Sequence, residues 1–489
     1  MTNTVERLSG TQNLANHRIE ELVFPAGFVF GLSSSCNQTE GAVTQGGKGV
    51  SIWDTFTQKP GAIVDGSTQE RAIDHYNRFD SDFDMLAAIG PDTYRPSIAW
   101  SRVDPLGDGV WNEEALTYYS DVIDKLIAIG VDPWVTLYHW DMPQALQDRG
   151  GWESRETVQR FTDYALKVQD RLGDRVKRWT TFEEPSCVAL FGYGSGKHAP
   201  GITSPTSALR AAHHVLLAHG NATKAMKAAR PDNEVGIALV LTPIDAASTS
   251  SKDLDAARRA DLVINRFFIE PILTGGYADD AVALIQRYTD ASHIQPGDAE
   301  LIATPIDFLG VNYYFREYAK WDPSHWNAVT PNIGCEDVVM VKSGAPQTLS
   351  GWEIDHHGLY DALMRVHHLY PAIPIYITEA GASFDYEVAP DGAVHDINRV
   401  EYLANQFAMA QHAVRSGVNL RGFCVWTFMD NWEWAAGWTQ RFGLVHVDRD
   451  SLERRYKDSA YWFGNLIRHN TPAERQKPEM VPTATQAVP

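Results

Sequence analysis

Short runs of β-branched, aromatic and aliphatic residues alternate along this chain with longer stretches in which apolar residues recur every three or four positions. The runs at 28–34, 93–100, 134–138, 179–185, 234–242, 308–314, 375–379 and 422–427 predict eight strands. The periodic stretches at 72–89, 112–130, 155–172, 207–229, 254–270, 358–370, 400–415 and 458–467 predict the helices between and after them. Gly90-Pro91 stops the first helix, and Asn112 caps the second. Strict alternation of strand and helix implies a parallel sheet, and eight repeats imply closure. The expected class is α/β, a single (β/α)₈ TIM barrel over residues 22–469. A polar arm at 1–21 precedes it, an irregular insertion interrupts it at 315–351, and a tail at 470–489 is too polar to bury much and is expected to be disordered.

Composition narrows the function more than the fold. A net charge of −20 argues against nucleic acid or an anionic membrane as partner, because either would be repelled. No apolar run is long enough to span a bilayer, and the first twenty residues lack the basic start and apolar stretch of a secretory signal, so a cytoplasmic protein is expected. Cys36, Cys187, Cys335 and Cys424 lie far apart without a CxxC spacing, which suggests reduced thiols and neither a disulfide framework nor a metal site. The chain holds 15 Trp and 19 Tyr, whose flat apolar faces and polar edges suit sugar rings as well as a core.

In a barrel of this kind the chemistry sits at the carboxyl ends of the strands. There the sequence places Gln38, Arg95, His139 with Trp140, Glu183 with Glu184, Asn312 with Tyr314, Glu379, and Trp426. The adjacent carboxylates of Glu183 and Glu184, stopped by Pro185, repel each other, and burial disfavours the charged form of both. Glu184 and Glu379, from two different strands, make the pair that glycoside hydrolysis needs: an acid to protonate the leaving oxygen and a carboxylate to attack the anomeric carbon. Arg95 would keep Glu379 ionised and Tyr314 would donate to it. Arg95 as a rim salt bridge and Tyr314 as a core phenol are the plainer readings.

Seven stretches in order then resemble one family. They are 30–41 with Gln38-Thr39-Glu40-Gly41, 94–102 around Arg95, 138–146 around His139-Trp140, 198–201, 310–314, 430–435, and 441–444. The chain is similar to family 1 glycoside hydrolases, the β-glucosidase family, from about residue 24 to 466. The resemblance implies a retaining, exo-acting β-glycosidase without a cofactor or metal, acting on a carbohydrate or glycoside, with a homo-oligomer possible. By it, Glu184 is the acid/base, Glu379 the nucleophile, and Arg95 and Tyr314 hold the nucleophile. Gln38, His139, Glu433 and Trp434 bind the hydroxyls of the non-reducing sugar and Trp426 lies beneath its ring, with Trp140, Glu183 and Asn312 as further substrate contacts. Glu433 would repel the phosphate of a 6-phospho-sugar.

Two positions depart from the family pattern. Glu183 stands where the family has the asparagine that donates to the sugar 2-hydroxyl, and Ala380 replaces an asparagine after the nucleophile. Three readings of Glu183 stand open: it is protonated and donates; it faces a cationic C2 substituent such as a 2-amino group; or the site favours transglycosylation or sugar binding over hydrolysis. A non-catalytic sugar-binding barrel is the second class, opposed by the presence of both carboxylates. A metal-dependent hydrolase would need two His and a carboxylate at the strand ends, and the sequence shows no such set.

Overall fold

The computed structural model describes residues 16–472 and 480. Eight parallel strands close into a barrel: β1 (Val29–Ser33), β2 (Thr93–Arg95), β3 (Asp132–Tyr138), β4 (Arg178–Glu183), β5 (Glu234–Val240), β6 (Phe308–Tyr313), β7 (Ile375–Ala380) and β8 (Leu420–Trp426). Each strand pairs with its neighbours in sequence, and β1 closes the ring on β8. This order is that of a strand–helix–strand unit repeated around the ring.

The register aligns the functional ends. Ser33 lies opposite both Arg95 and Trp426, and Glu379 lies opposite Asn312. The ladder slips just before both candidate carboxylates, between Thr180 and Glu183 on β4 and between Ile377 and Glu379 on β7. A bulge re-aims the side chains that follow it, so these slips turn the glutamates. Below the site, toward the opposite end of the barrel, Trp134, Phe308, Tyr376 and Cys424 pack together, with the guanidinium of Arg178 4.9 Å from the rings of Trp134 and Tyr376. A side chain at Gly310 would come within 2.7 Å of Thr378, so β6 and β7 require glycine there to approach.

Helices follow the strands as expected, with differences that have local causes. The first runs His75–Ile89, not from Ala72, because Asp74 takes a left-handed conformation at φ 58°. The β2 run ends at Arg95, since Pro96 donates no hydrogen bond and Trp100–Val103 forms a helical turn. Between β5 and β6 the structure adds helices Asp279–Tyr288 and Asp298–Ile302. The insertion at 315–351 is not irregular throughout: Glu317–Trp321 pairs antiparallel with Val338–Val341 and parallel with Ile244–Ala246. These residues have strand composition, but their partners are remote in sequence.

The expected arm falls mainly on residues 1–15, outside the described residues, and Ile19–Glu21 forms a short helical turn with Ile19 buried. Most of the expected tail also lies outside the described residues. Asn470 itself ends the last helix (Asp458–Asn470), accepts from the Phe24 amide at 2.8 Å and donates to the Leu22 carbonyl at 2.9 Å. Met480 is buried against the core. Among the described residues no helix is long and apolar enough to cross a membrane.

Candidate active site

All eight strands deliver their last residues to one mouth, and five side chains there form a continuous chain of contacts. Arg95, fully buried, donates through Nη1 to Glu183 and through Nη2 to Glu379. It is oriented by Thr136 Oγ1 at 2.8 Å, Ser33 Oγ at 3.3 Å and the Thr378 carbonyl at 3.2 Å. From the other side Asn312 Nδ2 donates to Glu183 Oε1 at 2.7 Å and to Glu184 Oε1 at 2.8 Å. Thr378 Oγ1 donates to Asn312 Oδ1 at 2.7 Å, which fixes the amide with its nitrogen toward the two glutamates. Tyr314 donates to Glu379 Oε2 at 2.6 Å, and Cys187 Sγ lies 3.2 Å from Glu184 Oε2 as a donor.

These partners differentiate the carboxylates. Burial, then the neighbouring Glu183, pushes the Glu184 carboxyl up to about 7, against the amide of Asn312 and the thiol of Cys187. Burial and Glu183 also push Glu379 well upward, but of the two only Glu379 is in direct contact with the guanidinium and with a phenol, which favour its charge. Burial alone would lower Arg95, and the Glu183 and Glu379 carboxylates more than reverse it. Burial, with Arg95 nearby, holds the His139 imidazole well below its usual range and therefore neutral.

The second group of side chains comes from loops. Gln38, on a helical turn after β1, donates to Asn431 Oδ1 at 3.0 Å and Glu433 Oε2 at 2.9 Å, joining the first and last barrel loops. Burial raises the Glu433 carboxyl to about 8. Among the described residues Gln38 Oε1 and His139 Nδ1 are buried without a hydrogen-bond partner. The rings of Trp426 and Trp434 stack against His139 at 5.7 and 5.8 Å, and Trp140 donates its indole N–H to the Glu183 carbonyl at 3.0 Å. Trp140, Glu184 and Trp434 have φ of 71°, 42° and 52°, conformations unfavourable for side chains of this size.

These residues surround a cavity of about 790 Å³. Its wall includes His139, Trp140, Glu184, Tyr314, Glu379, Trp426, Glu433 and Trp434, whereas Gln38, Arg95, Glu183 and Asn312 lie behind it. The wall also carries the apolar side chains of Leu190, Phe191, Phe315, Met340, Trp352 and Phe442.

Sequence reasoning missed Cys187, whose position three residues after Glu184 on the turn that follows β4 was the available signal. It also missed Thr136, Ser33 and Thr378, ordinary strand residues whose role depends on the Arg95 side chain lying across the barrel. One histidine and two carboxylates do converge: His139, Glu183 and Glu379 offer donor atoms within 4.8 Å of one another. The guanidinium of Arg95 pairs with both of those carboxylates, supplying the positive charge that a metal would bring. Ala380 is fully buried at the end of β7, and nothing in the structure explains why it replaces a polar residue.

A family model described as Glycosyl hydrolase family 1 matches residues 20–472. Beta-glucosidase A of Acetivibrio thermocellus is 39% identical over 452 residues, which span 92% of this chain and 100% of that protein. The crystal structure of a psychrophilic beta-glucosidase from Micrococcus antarcticus superposes with a TM-score of 0.90 at 41% identity, covering 94% of this chain and 100% of that one. The beta-glucosidase from Thermotoga maritima in complex with galacto-hydroximolactam superposes with a TM-score of 0.86 at 38% identity, covering 92% and 99%. With a family match over nearly the whole chain and relatives this similar along their full length, the chain belongs to glycosyl hydrolase family 1 and is a retaining O-glycoside hydrolase.

Proposed function

We propose that the protein is an exo-acting β-glycosidase of the β-glucosidase type that releases a neutral non-reducing sugar by double displacement, with Glu184 as acid/base and Glu379 as nucleophile. The observation that carries this reading is the asymmetry of partners: Glu184 has only a neutral amide and a thiol, whereas Glu379 has Arg95 and Tyr314. The proton therefore resides on Glu184 and the negative charge on Glu379. Glu379 attacks the anomeric carbon as the bond to the aglycone oxygen breaks, and the Glu184 proton passes to that oxygen. Water then gives its proton to Glu184, attacks the same carbon and expels Glu379.

Gln38, His139, Glu433 and Trp434 receive the sugar hydroxyls in this reading, with Trp426 beneath the ring. The placement of His139, Glu433, Trp434 and Trp426 on the cavity wall, with Gln38 hydrogen-bonded to Glu433, supports that assignment. At C2 the contact is altered: Glu183 stands off the cavity wall with one oxygen accepting from Arg95 and the other from Asn312, so it offers the sugar 2-hydroxyl no donor. A 2-amino sugar is the less favoured substrate, because Glu183 already has Arg95 as its cation. A carbohydrate ligand also accords with the galacto-hydroximolactam complex of the Thermotoga maritima relative.

Incubation with a 2-fluoro β-glucoside tests the reading. A covalent glycosyl adduct is expected on Glu379 by peptide mass analysis, and a sugar-binding barrel without hydrolysis would form none. Comparing plain and 2-amino glucosides decides the C2 question, and faster turnover of the amino sugar would overturn the neutral-sugar assignment.

A further inference from the structure

Glu183 does not line the cavity, yet it touches what holds each of the two working carboxylates. Its Oε2 meets Arg95, which reaches on to Glu379, and its Oε1 meets the same Asn312 nitrogen that donates to Glu184. The chain Glu184, Asn312, Glu183, Arg95, Glu379 is thus unbroken, and Glu183 is its midpoint. We propose that Glu183 is a positioning residue for the reaction, dividing one guanidinium between itself and Glu379 and, through Asn312, setting the orientation of Glu184. This rests on the double-displacement reading of those two glutamates.

Arg95 faces Glu183 from β2, neutral His139 from the end of β3, Glu379 from β7, and Glu184 follows it on its own strand. Tyr314 and Glu433 lie beyond them, Cys187 lies on Glu184, and Cys424 of β8 lies near Arg95. The group therefore contains three adjacent carboxylates and a single guanidinium. A charge on Glu183 opposes charge on both of the others, and burial strengthens the effect because little water screens it. It also engages Arg95, so that Glu379 receives only part of that stabilisation. Removing the charge makes both other carboxyls more acidic. Substitution leaves no orphaned cation, since Arg95 keeps Glu379, Thr136, Ser33 and the Thr378 carbonyl.

The test is the pH dependence of kcat/KM for an aryl β-glucoside in the wild type, Glu183→Gln and Glu183→Asn, each checked for adduct formation on Glu379 with the 2-fluoro glycoside. The ascending limb reports Glu379 losing its proton and the descending limb Glu184 losing its own. Both limbs are expected to move to lower pH by about one unit or more in both variants. A merely structural role would lower kcat without moving either limb. Unmoved limbs in two variants that still form the adduct would overturn the inference. Failure of the wild type to form an adduct on Glu379 would instead overturn the double-displacement reading, and this inference with it.

Discussion

Tyr314 donates to Glu379 on the carboxylate oxygen opposite the one that Arg95 holds, so both oxygens of the proposed nucleophile are fixed, one by a phenol from β6's end and one by a guanidinium from β2. Tyr314→Phe removes one of two donors to a buried charge. A loss of about 1.5–3 kcal/mol of stabilisation is expected, or roughly 10- to 160-fold in kcat/KM. Because the hydroxyl favours the charged form of Glu379, its removal should also move the ascending pH limb upward. An ascending limb that moves downward would contradict the assignment.

With Glu184 poised at about 7, kcat/KM should fall as pH rises through that value, since the acid must enter the reaction protonated. Glu184→Gln should cost about 10²–10⁴-fold for an alkyl glycoside. The cost should shrink for nitrophenyl glycosides, whose leaving oxygen needs little protonation. Equal losses across leaving groups would remove Glu184 from the acid role.

The thiol of Cys187 favours the charged form of Glu184. Cys187→Ala is therefore expected to raise the descending limb by less than about one unit, since a thiol is a weak donor. Titration of kcat/KM against pH reads this directly, and a shift to lower pH would refute it.

Lys457 and Asp430 form a buried ion pair at 2.8 Å behind the loop that carries Glu433, with Tyr386 also donating to Asp430. Lys457→Met leaves the Asp430 charge without its cation and should destabilise the fold by about 3–5 kcal/mol, visible as a lower denaturation midpoint in urea. An unchanged midpoint would show that Tyr386, the Gly443 amide and the more distant charges suffice for Asp430.

The barrel was legible because its signals are local: each strand's apolar run and each helix's periodicity are written in consecutive residues. The positions of Arg95, Glu184, Tyr314 and Glu379 followed from one architectural rule about strand ends. The pairing of Glu183 with Arg95 was not legible, and none of the three readings of Glu183 contained it. That contact depends on a slip in the β4 ladder and on a side chain crossing from β2. Gln38 and Glu433 were each singled out, but their hydrogen bond spans 395 positions and exists only because β1 closes the ring on β8. The sheet at 317–341 was missed for a similar reason, since one of its three strands lies before β6. Helix Asp279–Tyr288, by contrast, carries Ala281, Leu284, Ile285 and Tyr288 at helical spacing and was open to reading.

The left-handed backbone at Glu184 places durability and turnover in opposition on the cavity wall. Glycine adopts such φ values without strain, and Glu184→Gly would also withdraw one of three crowded carboxyls. A library screened only for heat resistance would thus be expected to enrich substitutions at Glu184 and yield sturdier proteins that no longer cleave anything, whereas Trp140 and Trp434 would be kept by their packing. Protein engineering of this enzyme has to select for hydrolysis and stability in the same round.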